Sequence, residues 1–421
     1  MKTRCFLLVA VGLGLIPVAA VATDWPQWRG PERNGTSKET GLLAEWPKDG
    51  PKLIWQVNDL GTGYGAVSMA GGRVYLISNK GLEEEFALAL DIKDGKQVWT
   101  APLGKVGNPG QRPSYPAARS TPTVDGDLVY ALSSDGDLAC LEAATGKAQW
   151  QKSIRKEFGG QPGTWAYSES PLIDGDVLVC TPGGKDATLV ALNKKTGELI
   201  WKSPVPGGDL AAYASVIAVE AGGVKQYVQF VGKGVIGVDA KTGKFLWRFD
   251  ETGKGPANMP TPVAHEGYVY TSAGRAGSGG LVKVAADGDK VTAEKVYLER
   301  DLPTSIGGSV LVGGNLYGTG TAGLVCAEFT TGKVKWREKS VGSGSVLFAD
   351  GKLFIHGENG QVILVEANPE KFVEKGRFTP PGRPKQLNKG EQAWAYPALA
   401  DGRLYVREHG TLWCYDVKGE K

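Results

Sequence analysis

The sequence predicts an all-β protein, an eight-bladed β-propeller of four-stranded antiparallel blades that is closed by a strand from the N-terminal part of the chain. Three observations predict this fold: a motif repeated at blade-length spacing, short strands separated by glycine turns, and chain ends that complete one another. No sustained helical periodicity follows the N-terminus. Because a ring of repeats is one cooperative unit, we expect one propeller rather than the several domains that 421 residues usually form.

The repeated motif contains a small residue, an acid or Asn two positions later, a Thr-Gly or Asp-Gly turn, and an aromatic residue. One copy runs from Cys140 and Glu142 through Thr145-Gly146-Lys147 to Trp150. The aromatic residues recur about 40–50 residues apart, which is the length of one four-stranded blade. We expect them to dock each blade against its neighbour. The Trp residues of this set are Trp55, Trp99, Trp150, Trp201, Trp247 and Trp336, and weaker copies end at Tyr297 and Phe378.

Each period also divides into four strand-like segments, A to D, with the aromatic residue on the outer strand D. Glycine in the turns between them supplies the positive φ that tight hairpins need. The last meander, Ala395–Asp416, stops before a Trp strand, whereas the strand Pro51–Gln56 has no meander before it. We therefore predict that Pro51–Gln56 closes the last blade, which removes the open sheet edge. Seven blades remain the alternative if Tyr297 or Phe378 does not end a full blade.

Residues 1–22 have the features of a secretory signal. Lys2 and Arg4 form a basic start, Phe6–Ile16 an apolar core, and Ala20-Val21-Ala22 a cleavage site of small residues. The apolar core is short for a spanning helix. We expect an exported protein, periplasmic or secreted after cleavage near Ala22, with no membrane span. Residues 23–50 then form a leader that packs on the ring, and residues 51–421 form the propeller.

The net charge and the positions of the cysteines bear on whether the protein binds nucleic acid and whether it forms disulfides. Removing two of the 48 basic residues with the signal leaves a net charge of about +1 against 45 acidic residues, which gives no basis for binding nucleic acid. Cys140, Cys326 and Cys414 occupy the same small-residue position in different blades, too far apart to form a disulfide. We predict that these three thiols, and that of Cys180 in a different strand, are buried and unpaired.

The recurring Asp/Asn-x-x-Thr-Gly-Lys-x-x-Trp pattern, over about Trp55–Asp416, resembles the repeat of the pyrroloquinoline-quinone (PQQ)-binding-like propeller family. The segment Asp24–Pro31 is also similar to the start of exported members. The resemblance implies eight blades and two contrasting functions. One branch consists of dehydrogenases that carry PQQ and calcium in the central funnel. The other is the cofactor-free propeller lipoprotein of the outer-membrane β-barrel assembly machinery, which binds partner proteins.

The resemblance to the dehydrogenases implies a catalytic Asp, Glu and Asn ligands to calcium, and an adjacent Cys-Cys disulfide. This chain has no Cys-Cys pair and no Cys-x-x-Cys-His haem motif, and no motif places a catalytic Asp. Glu169 and Asn258, near the starts of inner strands, are the residues that would hold the cofactor and its calcium, because hard oxygen ligands suit this ion. We expect no catalytic residue, cofactor or metal, with PQQ and calcium as the alternative.

The D-to-A and B-to-C connections of a propeller emerge on one face, around the funnel, and long loops there are often functional. Aromatic, Arg and His side chains in such places are typical of interface anchors and of sugar or peptide platforms. The alternative is that Trp165-Ala166-Tyr167 and Trp394-Ala395-Tyr396 only plug the central channel. The predicted ligand or partner face consists of Arg112, Tyr115, Arg119, Trp165, Tyr167, Tyr213, Arg275, His356, Trp394, Tyr396 and His409.

These observations favour an exported, monomeric propeller that acts as a non-catalytic binding scaffold in the cell envelope. Its expected partner is another envelope protein, a peptide or a glycan, held at the face of the D-to-A and B-to-C connections. The first alternative is a PQQ- and calcium-dependent alcohol or sugar dehydrogenase. The second is an assembly factor for outer-membrane proteins, which the absence of a visible lipoprotein cleavage site disfavours.

Overall fold

The structure is a computed structural model that describes residues 24–112, 115–253, 257–273, 277–288, 290–385 and 391–419. The predicted signal segment 1–22 lies outside the described residues. Apart from the short α1 (Ile154–Glu157) and one 3-10 turn, Lys339–Val341, the regular structure consists of β-strands. No helix in these ranges is both long enough and apolar enough to cross a membrane.

Blades 1 to 4 are four-stranded antiparallel sheets whose strands pair in the order in which they occur along the chain. This order makes each blade a simple meander, with strand A innermost and strand D outermost. Their strands are β2 (Ser68–Ala70), β3 (Arg73–Lys80), β4 (Glu84–Asp91) and β5 (Gln97–Gly104); β6 (Thr123–Asp125), β7 (Leu128–Leu132), β8 (Asp137–Glu142) and β9 (Ala148–Ser153); β10 (Leu172–Asp174), β11 (Val177–Cys180), β12 (Leu189–Asn193) and β13 (Leu199–Ser203); β14 (Ile217–Ala221), β15 (Val224–Phe230), β16 (Val235–Asp239) and β17 (Phe245–Phe249).

Blades 5 to 8 have the same organisation, and the weak repeat copies that end at Tyr297 and Phe378 are both full blades. The prediction of eight blades is therefore confirmed, and the seven-bladed alternative is wrong. Their strands are β18 (Val263–His265), β19 (Tyr268–Ser272), β20 (Gly279–Asp287) and β21 (Lys290–Glu299); β22 (Ser309–Val312), β23 (Asn315–Gly320), β24 (Gly323–Glu328) and β25 (Val334–Glu338); β26 (Gly344–Ala349), β27 (Lys352–Gly357), β28 (Val362–Glu366) and β29 (Glu374–Phe378); β30 (Ala398–Ala400), β31 (Arg403–Glu408) and β32 (Thr411–Asp416), completed by β1 (Lys52–Val57).

The ring closes as the sequence predicts. The N-terminal strand β1 pairs antiparallel with the C-terminal strand β32, with Lys52 opposite Asp416 and Gln56 opposite Trp413. Blade 8 is therefore built from both ends of the propeller and has its strand D in place. Every blade of the ring therefore has four paired strands.

The repeated Trp docks one blade on the next through a directed hydrogen bond. The indole N–H of Trp99 in blade 1 donates to the carbonyl of Ala143 in the C-to-D turn of blade 2 at 3.0 Å. Trp247 differs, since it donates to Gln226 in its own blade at 2.6 Å. Blade 5 has an extended β20–β21 hairpin where blades 1 to 4 and blade 6 have the motif turn. The same inter-blade bond is made by Trp55 to Ile92, Trp150 to Lys194, Trp201 to Ala240, Tyr297 to Phe329 and Trp336 to Asn368.

The small residues of the motif are explained by their contacts with these aromatic rings. Gly146, at φ +74°, lies against the ring of Trp99, and a Cβ at this position would be 2.6 Å from the indole. Cys140 lies directly opposite Trp150 across the C–D strand pair, next to a bulge that recurs in every blade. The turn therefore requires Gly for its backbone angle and for its contact with the ring. All four cysteines of the described ranges are buried and unpaired, as predicted.

The leader crosses the centre of the ring and contacts the innermost strands on opposite sides of it. Trp25 exchanges backbone hydrogen bonds with Met69 of blade 1, and Pro26 accepts one from Val124 of blade 2 at 2.7 Å. The indole of Trp28 donates to Thr261, just before strand A of blade 5, at 3.0 Å. Blades 1 and 5 face each other across an eight-bladed ring. These residues therefore fill the central channel.

Two buried arginines fix this segment in the channel. Arg29 donates to the carbonyl of Ser309 in blade 6, and Arg33 donates to the carbonyl of Ser170, before blade 3, at 2.8 Å. Both guanidinium groups are nearly inaccessible to solvent. Burial lowers the pKa of Arg33 to about 10, which leaves the side chain charged at neutral pH. Carbonyl oxygens from two distant blades thus accept hydrogen bonds from the buried cations of the leader.

Beyond the channel the chain runs outward along the face of the A-to-B turns. The carboxylate of Glu39 accepts from the backbone N–H of Gly402 in blade 8 at 2.6 Å, and the N–H of Leu42 donates to Asp350 in blade 7 at 2.9 Å. The ring of Trp46 then packs edge-on against Phe378, with centroids 5.3 Å apart. Residues 24–50 therefore lead from the channel to the rim, where β1 begins.

Candidate partner-binding site

The D-to-A and B-to-C connections form one face of the ring, called here the loop face. Two cavities of about 900 Å³ and about 470 Å³ lie on it and share Gln161 and Gly163, so together they form a curved groove. The first cavity lies over blades 1 to 3, between the turns at Leu82 and Ser134. The second lies over blades 3 to 5, between the turns at Lys185 and Lys233.

Backbone hydrogen bonds from one D-to-A connection to the next and to the neighbouring B-to-C connection build the wall of this groove. The backbone N–H of Gln161 donates to the carbonyl of Pro182, and the carbonyl of Gln161 accepts from Ala211, both at 2.9 Å. Glycine permits this close approach, because a Cβ on Gly183, at φ +73°, would lie 2.1 Å from the backbone nitrogen of Ala211. The groove is therefore made of backbone fixed to backbone, which pre-organises its shape.

The two cavities differ in how their charges are balanced. In the first, Lys105 pairs with Glu83 at 2.5 Å and Arg155 pairs with Asp135. Each cation of that cavity therefore has an anionic partner.

In the second cavity, the carboxylate of Asp209 accepts from Arg248 at 3.1 Å and from the backbone N–H of Lys233. The ammonium of Lys233 lies on the carbonyl of Gly208 at 2.9 Å. Lys185 has no carboxylate partner within the described ranges. Within the described ranges, the ammonium groups of Lys185 and Lys233 in the second cavity therefore have no anionic partner.

Three residues of the predicted face meet at the inner edge of the second cavity. The rings of Trp165 and Tyr213 contact each other edge-on with centroids 5.6 Å apart. The indole N–H of Trp165 donates to the carbonyl of Arg112 at 3.1 Å. Tyr213 also lines the cavity wall. The structure thus brings together Arg112, Trp165 and Tyr213, which lie far apart in the sequence.

Asn258 lies on the wall of the same cavity and is almost fully buried. Its carboxamide NH₂ donates to the carbonyls of Val231 and Gly232 at 2.8 Å and 2.9 Å. Its side-chain oxygen has no hydrogen-bond donor among the described residues. A buried acceptor without a donor is costly to the fold.

A second group of predicted residues gathers on the loop face around Tyr64 and Glu391, where blades 8 and 1 meet. The hydroxyl of Tyr64 donates to the buried carboxylate of Glu391 at 2.6 Å. The backbone N–H of Tyr115 donates to the same oxygen at 3.3 Å. The guanidinium of Arg119 stacks over the Tyr64 ring at 4.7 Å from its centroid. Sequence reasoning missed Tyr64 and Glu391, because only the closure of the ring brings them together.

His409 and Trp394 complete this cluster. Both rings contact Tyr64, with centroids 5.2 Å and 5.1 Å away. Burial lowers the pKa of His409, although the neighbouring Glu391 opposes that shift. Burial and the hydrogen bond to Glu391 both raise the pKa of the Tyr64 hydroxyl. The cluster is therefore a buried polar network with a neutral imidazole at its edge.

Other members of the predicted face lie inside the fold. Tyr167 is buried between blades 2 and 3 and donates to the carbonyl of Pro182 at 2.8 Å. Tyr396 packs on the Trp28 ring of the leader at 4.3 Å, and His356 contacts the carbonyl of Ala395 through Nδ1 at 2.9 Å. The two Trp-Ala-Tyr triplets are thus not equivalent, since only Tyr396 meets the channel segment. Arg275 lies outside the described residues.

Glu169 is enclosed by donors of the protein itself. Its two carboxylate oxygens accept from the backbone N–H of Thr181 at 2.6 Å and from the side-chain amide of Gln229 at 2.8 Å. Calcium requires several oxygen ligands, whereas this carboxylate is surrounded by N–H groups. No contact joins it to Asn258, whose partners are different residues. These two residues therefore do not fit a shared calcium site, and the described residues contain no group of three or more His, Cys, Asp or Glu that could hold a metal.

The same geometry predicts a pH dependence of stability. Burial raises the pKa of Glu169 from 4.5 to about 7, and that of Glu85, which accepts from the N–H of Ser134, to about 7. A carboxyl whose pKa is higher in the folded state favours folding fully below about pH 4.5, and this contribution is lost as the pH rises through about 7. We expect Glu169→Gln to become less destabilising relative to wild type over that interval.

Urea unfolding of both proteins at several pH values between about 5 and about 8 measures this difference. Glu84→Gln, which changes an exposed acid in the strand that carries Glu85, is the control and should leave the pH profile of wild type unchanged. A pH-independent difference between Glu169→Gln and wild type would contradict the burial-driven pKa shift.

The fold and the groove define an eight-bladed repeat propeller whose central channel is filled by its own N-terminal leader and whose loop face carries the concave surface. The model of the PQQ_2 family, described as outer membrane protein assembly factor BamB, matches residues 35–164 and 89–338. Because these ranges cover more than half of the chain, the protein belongs to this family.

Individual relatives show the two branches of this family resemblance. Outer membrane protein assembly factor BamB of Burkholderia pseudomallei is 24% identical over 320 residues, which cover 65% of this chain and 78% of that protein. Quinoprotein alcohol dehydrogenase PedH of Pseudomonas putida is 27% identical over 187 residues, 43% of this chain but 28% of the dehydrogenase. The crystal structure of BamB from Moraxella catarrhalis superposes with a TM-score of 0.59 at 15% identity, covering 88% of this chain and 98% of that one. At that identity the structural likeness shows the fold alone.

Proposed function

We propose that this chain is an exported, monomeric, non-catalytic binding protein of the cell envelope, which holds a segment of a partner protein in the groove of the loop face. The observation that carries the proposal is that the central channel is filled, whereas a groove on the loop face is open. Trp28, Arg29 and Arg33 occupy the channel, while the groove over blades 1 to 5 stays open and has walls fixed by backbone hydrogen bonds. Pre-organised concave surfaces of this kind favour binding.

The family match supports a more particular form of this proposal, a role in the assembly of outer-membrane proteins. The matched ranges, 35–164 and 89–338, include the whole groove. The Burkholderia relative aligns over 78% of its own length, so the likeness extends through most of a protein named as an assembly factor. An assembly factor without catalytic residues acts by holding partner proteins, which is the activity that the groove geometry favours.

A site-specific photocrosslink tests the partner-binding proposal. Leu210, 41% exposed at the second cavity, and Val98, 45% exposed on outer strand β5, are matched positions on and off the groove. With a photoreactive amino acid at each position in living cells, we expect a discrete crosslinked envelope protein from Leu210 and none from Val98. Identical adducts from both positions, or none from either, would contradict binding in the groove.

The dehydrogenase alternative is favoured by the alignments with dehydrogenases, such as PedH over 187 residues. The geometry of Glu169 opposes it, because that carboxylate already accepts from protein donors. Titration of the purified protein with PQQ and calcium, followed by calorimetry and dye-linked alcohol oxidation, decides between them. Saturable binding with turnover would replace the binding-protein proposal, and the absence of heat and turnover would retain it.

A further inference from the structure

We infer that the second cavity binds an extended, acidic polypeptide segment, with a ligand carboxylate held between Lys185 and Lys233. This inference rests on the proposed function, because it names the chemistry of the segment that the groove holds. It follows from three features of the cavity: the two lysines, the apolar surface of Leu210 and Tyr213 beside them, and the open connection to the first cavity.

The two lysines converge on one stretch of backbone. Lys185 packs against Gly208, where a Cβ would lie 3.4 Å from the Lys185 Cα. The carbonyl of that same glycine accepts from the Lys233 ammonium at 2.9 Å. A carbonyl orients an ammonium group without neutralising it. The position beside Gly208 therefore has two cations on adjacent B-to-C turns and lacks a carboxylate of the described chain to match them.

Asp209 does not serve as the anionic partner of these lysines, because its carboxylate already accepts hydrogen bonds from other groups. Its carboxylate accepts from Arg248 at 3.1 Å and from the backbone N–H groups of Lys233 and Leu210. It has 1% of its side chain exposed, so a ligand meets the lysines rather than this acid. The first cavity, in which Lys105 and Arg155 are both paired with acids, has no such excess. The charge pattern thus selects an anionic ligand for the second cavity.

The remaining features favour a polypeptide over a compact anion. Leu210, 41% exposed, and the Tyr213 ring add an apolar surface beside the lysines. The cavity continues past Gln161 and Gly163 into the first cavity, so a ligand need not end inside it. A chain of alternating acidic and apolar residues satisfies all of these groups.

Fluorescence anisotropy with two labelled peptides tests this inference. The first is a capped peptide of Gly, Ser, Leu and Asp with two Asp residues alternating with Leu, and the second has Asn in place of both Asp residues. We expect the acidic peptide to bind at least about tenfold more tightly, because charge-assisted hydrogen bonds are about twice as strong as neutral ones. The difference should shrink as salt is added.

Substitutions then locate the site. We expect Lys185→Gln to weaken binding of the acidic peptide by about tenfold and Lys185→Glu to abolish it, whereas Lys105→Gln in the first cavity leaves the affinity unchanged. Lys185 donates no hydrogen bond that fixes a loop in the described structure, so its variants should keep the melting temperature of wild type. Lys233→Gln serves as a second probe, checked by the same melt, since its ammonium also contacts Gly208.

The outcomes separate this inference from the proposed function. Equal affinity for the two peptides, or full affinity of Lys185→Glu, would overturn the inference. So would complete competition by sodium succinate at the same carboxylate concentration, because that result identifies an anion site rather than a polypeptide site. If neither peptide binds while Leu210 still crosslinks to an envelope protein, the acidic-segment inference fails and the binding-protein proposal stands. If the crosslink is absent as well, both fail.

Discussion

Replacing Arg407 with Met is expected to lower the free energy of unfolding by about 3–5 kcal/mol, because each buried acceptor left without a donor costs roughly 1–3 kcal/mol. Arg407 is 1% exposed on β31 of blade 8. Its guanidinium donates to the carbonyls of Gly65 and Ile77 at 2.9 Å and 3.0 Å and to the Ser78 hydroxyl at 2.7 Å. These acceptors belong to blade 1 and the connection before it. One side chain thus joins the last blade to the first.

Unfolding of the wild type and the variant in guanidinium chloride measures this loss of free energy. Burial lowers the pKa of Arg407 to about 9, so the side chain is still protonated at neutral pH. Arg403→Met is the matched control, since Arg403 lies on the same strand and also reaches blade 1, through one hydrogen bond to Ile92 at 3.0 Å, but is only half-buried. We expect Arg403→Met to lower the free energy of unfolding by about 1 kcal/mol. Equal losses for the two variants would contradict the role assigned to Arg407.

Replacing Trp99 with Ala is expected to lower the free energy of unfolding by about 3–5 kcal/mol through the cavity that the indole leaves. The ring is 8% exposed and packs on Tyr75 of its own blade at 6.0 Å and on Gly146 of the next blade. The variant also removes the donor to the Ala143 carbonyl. Both the core of blade 1 and its contact with blade 2 therefore weaken together.

Thermal unfolding followed by circular dichroism measures this change. Val98→Ala is the control, because Val98 is the neighbouring residue on the same strand, points outward and is 45% exposed. A surface change of this kind is expected to alter stability by no more than about 0.5 kcal/mol. An unchanged melting temperature for Trp99→Ala would show that the repeated aromatic residue does not dock the blades.

The blades could be predicted from the sequence because the interactions that define them repeat locally. Gly146 and Trp99 are one motif apart, and the same pair recurs in most blades, so the pattern records the contact directly. The pairing of β1 with β32 could be predicted because the last meander has no Trp strand of its own, whereas the N-terminal Trp strand has no meander before it. Even Tyr297 and Phe378, which depart from the Trp consensus, occupy the strand D position that their spacing predicts.

The channel and the groove could not be predicted in this way, because their contacts join residues with no fixed spacing. No sequence motif marks Arg29 and Arg33 as buried, and only the ring makes the carbonyls of Ser309 and Ser170 their partners. Lys185 and Lys233 stand in ordinary turns of adjacent blades, where a single lysine carries no signal. The repeat places both lysines in B-to-C turns and so on the same face of the ring. The pattern does not reveal, however, that neither lysine has a carboxylate partner.

The pairing of β1 with β32 also governs how the molecule can form. Lys52 pairs with Asp416, so the two strands that complete blade 8 are separated by almost the entire propeller. Bringing such distant segments together has a large entropic cost, and folds dominated by such contacts form slowly. A growing chain therefore carries β1 unpaired until its final strand is available. Once closed, the ring cannot fray from either terminus without opening blade 8, so the slowest step of assembly also protects the finished molecule.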